Sequence, residues 1–305
     1  MSKRSPRARG PILGHDAYWL RRLAYVGARY GSTQFVRTGS VAIGAFFSGI
    51  LPKYRRAIRA NLRRIYGPRS VWLENRDVTK TFVDYACCLT ESLGLERMNP
   101  KDIVYELVGR ASLDTVLAQA AGFIVATAHV GAWDSAAIHL HQVTGRAVLV
   151  VMTRESDPAA RNFHDSIRRR QGVEIAHVGQ NAFEGLRLLK HLREGGIIAV
   201  QLDRLPESSR SLEVLLFKQK FEIPRGPFQL ASLASVPILP VFCARVGHFE
   251  YEIHVNSPII VDRRASVDQL STAAQEAMTA LEIFLRTYPT QWFHFGNIDS
   301  SVSVT

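Results

Sequence analysis

Acidic residues are almost missing from the first 70 positions of this 305-residue chain: fifteen lysines and arginines stand there against a single acid, Asp16. The whole chain carries +11, so the remaining residues are slightly acidic and all the excess positive charge is N-terminal. Such a distribution suits an anionic partner, whether nucleic acid, acidic lipid headgroups or an acidic carrier protein. For residues 1–10 a solvated basic tail is an equal alternative. Cysteine is also scarce: Cys87 and Cys88 are adjacent and Cys243 sits in an apolar run, so neither a disulfide framework nor a Cys/His zinc site can be built. The three read as small core residues of a reducing compartment. Also lacking is a Gly-x-Ser-x-Gly elbow, which argues against a serine hydrolase. No Gly/Ser linker, low-complexity tract or repeat divides the chain. No secretory signal is expected, since the N-terminal charges run into Gly14-His15-Asp16 rather than an apolar core.

What is present is a core-forming composition, 47% hydrophobic, which suits one α/β domain over residues 71–305 with a basic helical extension over residues 1–70. Within the extension, residues 16–30 read as a helix mixing apolar side chains with arginines. Residues 39–51 carry no charge between Arg37 and Lys53. A bilayer-spanning helix needs about twenty such residues, so this stretch lies in an interface or packs internally. Directly after it, Tyr54, Ile58, Leu62 and Ile65 recur at helical spacing among arginines. That is a basic amphipathic helix of the kind that rests on anionic lipid, with a water-facing helix as the plainer alternative. Nucleic acid is not expected, because no stacking aromatics or known binding module accompany the charge. Residues 71–95 continue helical, with Trp72, Val78, Phe82, Tyr85 and Leu89 as a core stripe.

From residue 123 onward, strands at 123–128, 147–152, 173–177, 197–202, 213–217, 238–245 and 251–255 alternate with helices at 134–143, 158–170, 182–194, 226–235 and 267–287. This alternation predicts an α/β fold with a mostly parallel central sheet covered by helices on both faces. Sites in such sheets lie outside the carboxyl ends of the strands.

One such end carries the most informative local pattern, Ala128-His129-Val-Gly131-Ala-Trp133-Asp134. An apolar run ends at a histidine, a short glycine-containing loop follows, and an acid opens a helix. In a continuous helix, residues five apart point about 140° away from each other. His129 and Asp134 meet only if Gly131 bends the chain between them. A buried histidine ending a strand is the bland alternative. The same spacing recurs at His294 and Asp299, with no helix pattern after it, and reads as coincidence. Other strand ends add Arg154, whose guanidinium suits a phosphate or carboxylate, and the pair Asp203 and Arg204. Glu213, at a strand start, either reaches the same rim or pairs with Arg210.

The turn at 128–134, Thr153-Arg154, Leu202-Asp203-Arg204, the region 217–227 and Val236-Pro-Ile-Leu-Pro240-Val occur in an order that resembles the bacterial lipid A biosynthesis (late) acyltransferase family. That family includes phosphatidylinositol mannoside acyltransferases and is similar to glycerophosphate acyltransferases. The resemblance runs from about residue 51 to residue 295, taking in Arg59-Ala-Asn61-Leu-Arg-Arg-Ile-Tyr-Gly67 and Gln291-Trp-Phe-His-Phe295. It implies the glycerophosphate-acyltransferase-like version of the α/β fold. It also implies transfer of a fatty acyl group from a thioester, on acyl carrier protein or coenzyme A, to a hydroxyl of a membrane glycolipid or phospholipid. The location implied is the cytoplasmic face of the inner membrane, peripheral or monotopic, with no bound cofactor or metal. By the same resemblance His129 is the general base and Asp134 holds its other ring nitrogen. Arg154 matches an anion-binding arginine. Asp203 and Arg204 line the site with Gly131 and Trp133, and Glu213 assists the histidine as in the mannoside branch. Two departures stand out. Ala132-Trp133-Asp134 replaces an Asn-Trp-Glu common among lipid A members, which leans toward the mannoside or glycerophosphate branches. Lys218 stands where a glycine is often found. A membrane-surface thioesterase and an inactive lipid-binding protein of the same fold are the competing readings.

Overall fold

The structure, a computed structural model, describes residues 26–27, 30–153, 165–166, 169, 173–178, 183–206 and 209–296. Most of the expected helices at 158–170 and 16–30, and Arg154, therefore lie outside the described residues. Strand β2 (Phe123–Thr127) shows why the sheet forms: Phe123 and Val125 enter one apolar layer, Ile124 and Ala126 another. A strand buried on both faces reads as an unbroken apolar run. The same division holds in β3 (Val148–Thr153), where Val148 and Val150 face one layer and Leu149 the other, and in β5 (Ile197–Gln201).

The seven-stranded sheet has the order β1-β9-β8-β2-β5-β3-β4. Strands β8 (Ile238–Gly247), β2, β5, β3 and β4 (Glu174–Val178) are mutually parallel, whereas β9 (Glu250–Val255) runs antiparallel to β8 and β1 (Val104–Val108) follows β9. The mostly parallel sheet expected from the sequence is present, with two reversed strands at one edge. Helices α4 (Arg110–Leu117) and α5 (Trp133–Thr144) cover one face; α6 (Phe183–Arg193), α7 (Gly226–Ala234) and α8 (Val267–Thr287) cover the other. In α8 a capping box between Ser266 and Gln269 satisfies the first-turn donors, and Leu270, Ala274, Ala277, Leu281 and Leu285 form the buried stripe. The expected strand at 213–217 stands outside this sheet: β6 (Ser211–Leu216) pairs only with β7 (Gln219–Pro224), as a separate hairpin.

Three N-terminal helices, α1 (Thr33–Ile50), α2 (Pro52–Tyr66) and α3 (Val71–Gly94), form a further layer. The apolar stripe of α2 turns inward, contrary to its expected lipid contact: Ile58 and Leu62 pack on Val78 and Phe82 of α3, and Ile65 joins the main core. Each buried side chain of this size stabilises by about 1.5–3 kcal/mol. Three arginines of α2 are tied down too. Arg55 and Arg59 donate to Asn75 Oδ1, and Arg63 binds the buried Glu74 at 2.6 Å. Trp72, assigned to the core stripe of α3, is instead exposed beneath Arg76. Helix α1 approaches α3 closely at Gly44, where a Cβ would lie 2.6 Å from Val83 Cα. Its other side leaves Ile43, Phe46 and Ile50 exposed, and Val41 is exposed as well. No described helix is long and apolar enough to cross a membrane.

Candidate active site

Strands β2 and β5 pair in parallel with Thr127 opposite Gln201, and the Leu202 amide extends the ladder by donating to the Thr127 carbonyl at 2.8 Å. The residues two positions beyond each strand, His129 and Asp203, therefore emerge side by side at the carboxyl edge. Asp203 Oδ1 accepts from His129 Nδ1 at 2.7 Å and from the His129 main-chain N–H at 3.0 Å. Asp203 Oδ2 accepts from the Trp292 indole at 3.1 Å. A carboxylate on Nδ1 fixes the proton there and leaves Nε2 with its lone pair, the tautomer a general base requires. The Asp203 side chain is fully buried while that of His129 keeps 17% of its surface exposed. Burial alone would raise the Asp203 pKa, but the His129 imidazole, its hydrogen bond, His294 and Arg204 outweigh it and hold the carboxyl well below the usual range.

The turn after His129 is fixed by backbone bonds. Val130 N–H donates to Ala128, Gly131 N–H to the Gln291 carbonyl and Ala132 N–H to the Cys243 carbonyl, while Phe293 N–H donates to His129. Gly131 takes φ +46°, and a Cβ there would fall 2.0 Å from the Cys243 carbonyl oxygen, so only glycine fits. The bend inferred from the sequence is thus present. Trp133 opens α5 with its ring edge-on to His129, centroids 6.1 Å apart, and Asp134 follows in the first turn. The carboxylate on His129 Nδ1, however, belongs to Asp203 rather than to Asp134. An acid in the first turn of α5 suits the positive end of that helix, whereas strand pairing delivers Asp203 directly to the imidazole.

An apolar cavity runs beneath α5 on the same face of the sheet. Thr127, Trp133 and Gln201 line it near the carboxyl edge, and Val125, Ala137 and Ala199 continue it. His139 also lines it, stacked on Tyr105 at 4.0 Å, and burial lowers the pKa of that histidine.

Among the other nominated residues, Arg204 donates to the Phe293 carbonyl at 3.1 Å and so braces the same edge. Glu213 is not gathered there: it lies on the β6–β7 hairpin with its carboxylate 2.9 Å from Lys220 Nζ. In place of the expected Arg210 partner stands the cross-strand lysine. Sequence reasoning missed the segment from Gln291 to His294 as part of the site. The signal available is the Gln-Trp-Phe-His-Phe block itself, which by sequence alone reads as a family marker, with the His294 spacing a coincidence. That histidine has Nδ1 3.9 Å from Asp203 Oδ2. Burial, assisted by Arg204 and His129 and opposed by Asp203, lowers its pKa to about 4.

An imidazole–carboxylate pair at the carboxyl edge of a mainly parallel sheet, beside an apolar cavity, places the molecule in the class of α/β proteins with a histidine-based site at a strand terminus. Within that class the chain belongs to the bacterial lipid A biosynthesis acyltransferase family, whose sequence profile matches residues 2–297. It is similar to a phosphatidylinositol mannoside acyltransferase of Mycobacterium tuberculosis (strain CDC 1551 / Oshkosh), 25% identical over 191 residues. The protein of that name from strain ATCC 25618 / H37Rv is 24% identical over the same length. Each match covers 61% of this chain and 60% of the relative, so the chain spans about three fifths of the length of the relatives it matches.

Proposed function

We propose that this protein transfers a fatty acyl group from a thioester, carried by coenzyme A or acyl carrier protein, to a hydroxyl of a membrane glycolipid. The observation that carries the proposal is the His129–Asp203 pair at the carboxyl edge of the sheet, where Trp133, whose ring meets that of His129, also lines the apolar cavity beneath α5. His129 Nε2 takes the acceptor hydroxyl proton as the oxygen attacks the thioester carbonyl. Asp203 stabilises the imidazolium so formed. Collapse of the tetrahedral intermediate breaks the C–S bond, and the departing thiolate takes the proton from His129, which restores the neutral base. The amides of Val130, Gly131 and Ala132 are already committed to carbonyl oxygens, so stabilisation of the oxyanion falls to the positive end of α5. Asp134 belongs to that helix start. The cavity beneath α5 takes the acyl tail, and Arg154 and Arg204 serve the anionic part of donor or acceptor. The names of the relatives support a mannosylated phosphoinositide as the acceptor class.

The acceptor resides in a membrane, and the exposed apolar side of α1 supports docking there from the cytoplasmic side. Phe46 (62% exposed) and Ile43 (54%) enter the interface, while the exposed Lys53 and Arg56 meet anionic headgroups. The test is transfer of labelled acyl chains from each thioester to extracted membrane lipids, read by mass spectrometry. Acyl-lipid formation by the wild type and its loss in His129→Ala are expected. Release of free fatty acid with no acyl-lipid product would instead make the protein a thioesterase.

A further inference from the structure

The segment that follows α8 meets the proposed His129–Asp203 pair and its turn through three hydrogen bonds. The Gln291 carbonyl holds Gly131 N–H, Phe293 N–H holds the His129 carbonyl, and the Trp292 indole holds Asp203 Oδ2. At its other side the segment is anchored in the helical layer. Asn61 of α2 donates to the His294 carbonyl at 2.7 Å, Thr290 donates to Asp84 of α3 at 2.7 Å, and the Phe295 ring packs against Tyr54 and Tyr85. The Gln291 side chain bonds both backbone groups of Arg245 on β8. Trp292 itself is 2% exposed.

We infer that Trp292 is a positioning residue, whose indole N–H holds Asp203 Oδ2 so that Oδ1 faces His129 in the catalytic orientation. The physical reason is the geometry of a carboxylate in a buried site. Asp203 has two equivalent oxygens and one side-chain torsion with broad preferences. With only the His129 contacts on Oδ1, the plane of the carboxylate could still swing about that oxygen. The indole donor on Oδ2 removes that freedom. The same donor withdraws charge from the carboxylate and so limits how strongly Asp203 favours the imidazolium form of His129. His294, uncharged above about pH 4, stands 3.9 Å from Oδ2 and supplies no second cation to compete for it at neutral pH.

This inference rests on the reading of His129 and Asp203 as the catalytic pair, and the experiment separates the two. Trp292→Phe keeps a ring of similar depth and deletes the N–H. A ten- to hundredfold fall in kcat at nearly constant KM is expected, with the acidic limb of the pH–rate profile moved to higher pH. In an Asp203→Asn background the same change should cost less than threefold, because the partner it acts through is gone. Equal losses in both backgrounds, or an unmoved acidic limb, would overturn the positioning role while leaving the pair intact. Full activity in His129→Ala and Asp203→Asn would overturn the pair itself. A measurement independent of the Trp292→Phe fold is the indole N–H resonance of the wild type: of the four tryptophans, one should shift strongly on Asp203→Asn. No indole responding to that substitution would also sink the inference.

Discussion

Among the described residues three buried carboxylates each meet a histidine, and two of them, Glu91 and Asp203, contrast most clearly. Glu91 of α3 is closed on all sides: Oε1 takes Arg245 Nε at 2.8 Å and His248 Nδ1 at 3.1 Å, and Oε2 takes the Tyr251 hydroxyl at 2.9 Å. Arg245 neutralises it, and burial together with Glu91 raises the Tyr251 pKa, so that hydroxyl stays protonated. Asp203 hydrogen-bonds only groups that can be neutral, namely an imidazole, an amide and an indole, with Arg204 acting on it through space, and its histidine side chain keeps 17% of its surface exposed. Saturating a carboxylate with a guanidinium makes a fixed cross-brace between α3 and the β8–β9 edge. Leaving it without a directly bonded guanidinium, on the proposed reading, makes its charge available to a proton that arrives on the histidine. The chemical difference lies in the third partner rather than in the acid–histidine contact.

The sharpest way to break this comparison is Glu91→Gln. It leaves the Arg245 guanidinium buried without its counter-charge and is expected to cost about 3–5 kcal/mol of folding stability, read by chemical denaturation. The protein that remains folded should retain its turnover. Next in size, His129→Ala should lower acyl transfer by about 10² or more with a much smaller change in stability, and Asp203→Asn should follow it. Third, the pH dependence of stability isolates His294. Its pKa is about 4 in the folded protein against an ordinary value near 6.5, so between those values the unfolded chain binds a proton that the folded one refuses. Stability should therefore fall as pH drops from about 6.5 to 4, and His294→Phe should flatten that slope. The Asp203 contribution has its window lower, being lost only as pH falls below the usual carboxylate range. Smallest in energy, Phe46→Asp on α1 should weaken binding to anionic vesicles several-fold without changing turnover on a detergent-dispersed acceptor. Added salt should weaken the binding further.

The strand termini were legible because both-face burial writes continuous apolar runs and because Gly131 punctuates the turn. The identity of the acid on His129 was not. It depends on β2 lying beside β5, a neighbour relation 74 residues apart that no local pattern encodes, whereas Asp134 is near in sequence and so was favoured. Strand β1, Val-Tyr-Glu-Leu-Val, is short, half-exposed and charged in its middle, and was missed at the sheet edge. Strand β7 was missed because its hairpin turn places Phe217 (φ +52°) and Lys218 (φ +61°) in the left-handed region without the glycine or asparagine that usually marks such turns. The direction of the α2 arginines was hidden as well. Their partners Asn75 and Glu74 lie on the next helix, and only its packing shows that the charges are internal braces.

The reliance of the His129–Asp203 pair on Gln291, Trp292 and Phe293 has a consequence for biosynthesis. During translation the sheet and both members of the pair leave the ribosome well before those three residues do. On the proposed reading, a nascent chain can thus present the exposed apolar side chains of α1 while the His129–Asp203 pair still lacks its final clasp. On that reading competence for acyl transfer arrives only after the polypeptide has passed residue 293, so a chain arrested between the end of β9 and Gln291 is expected to bind vesicles and yet be silent.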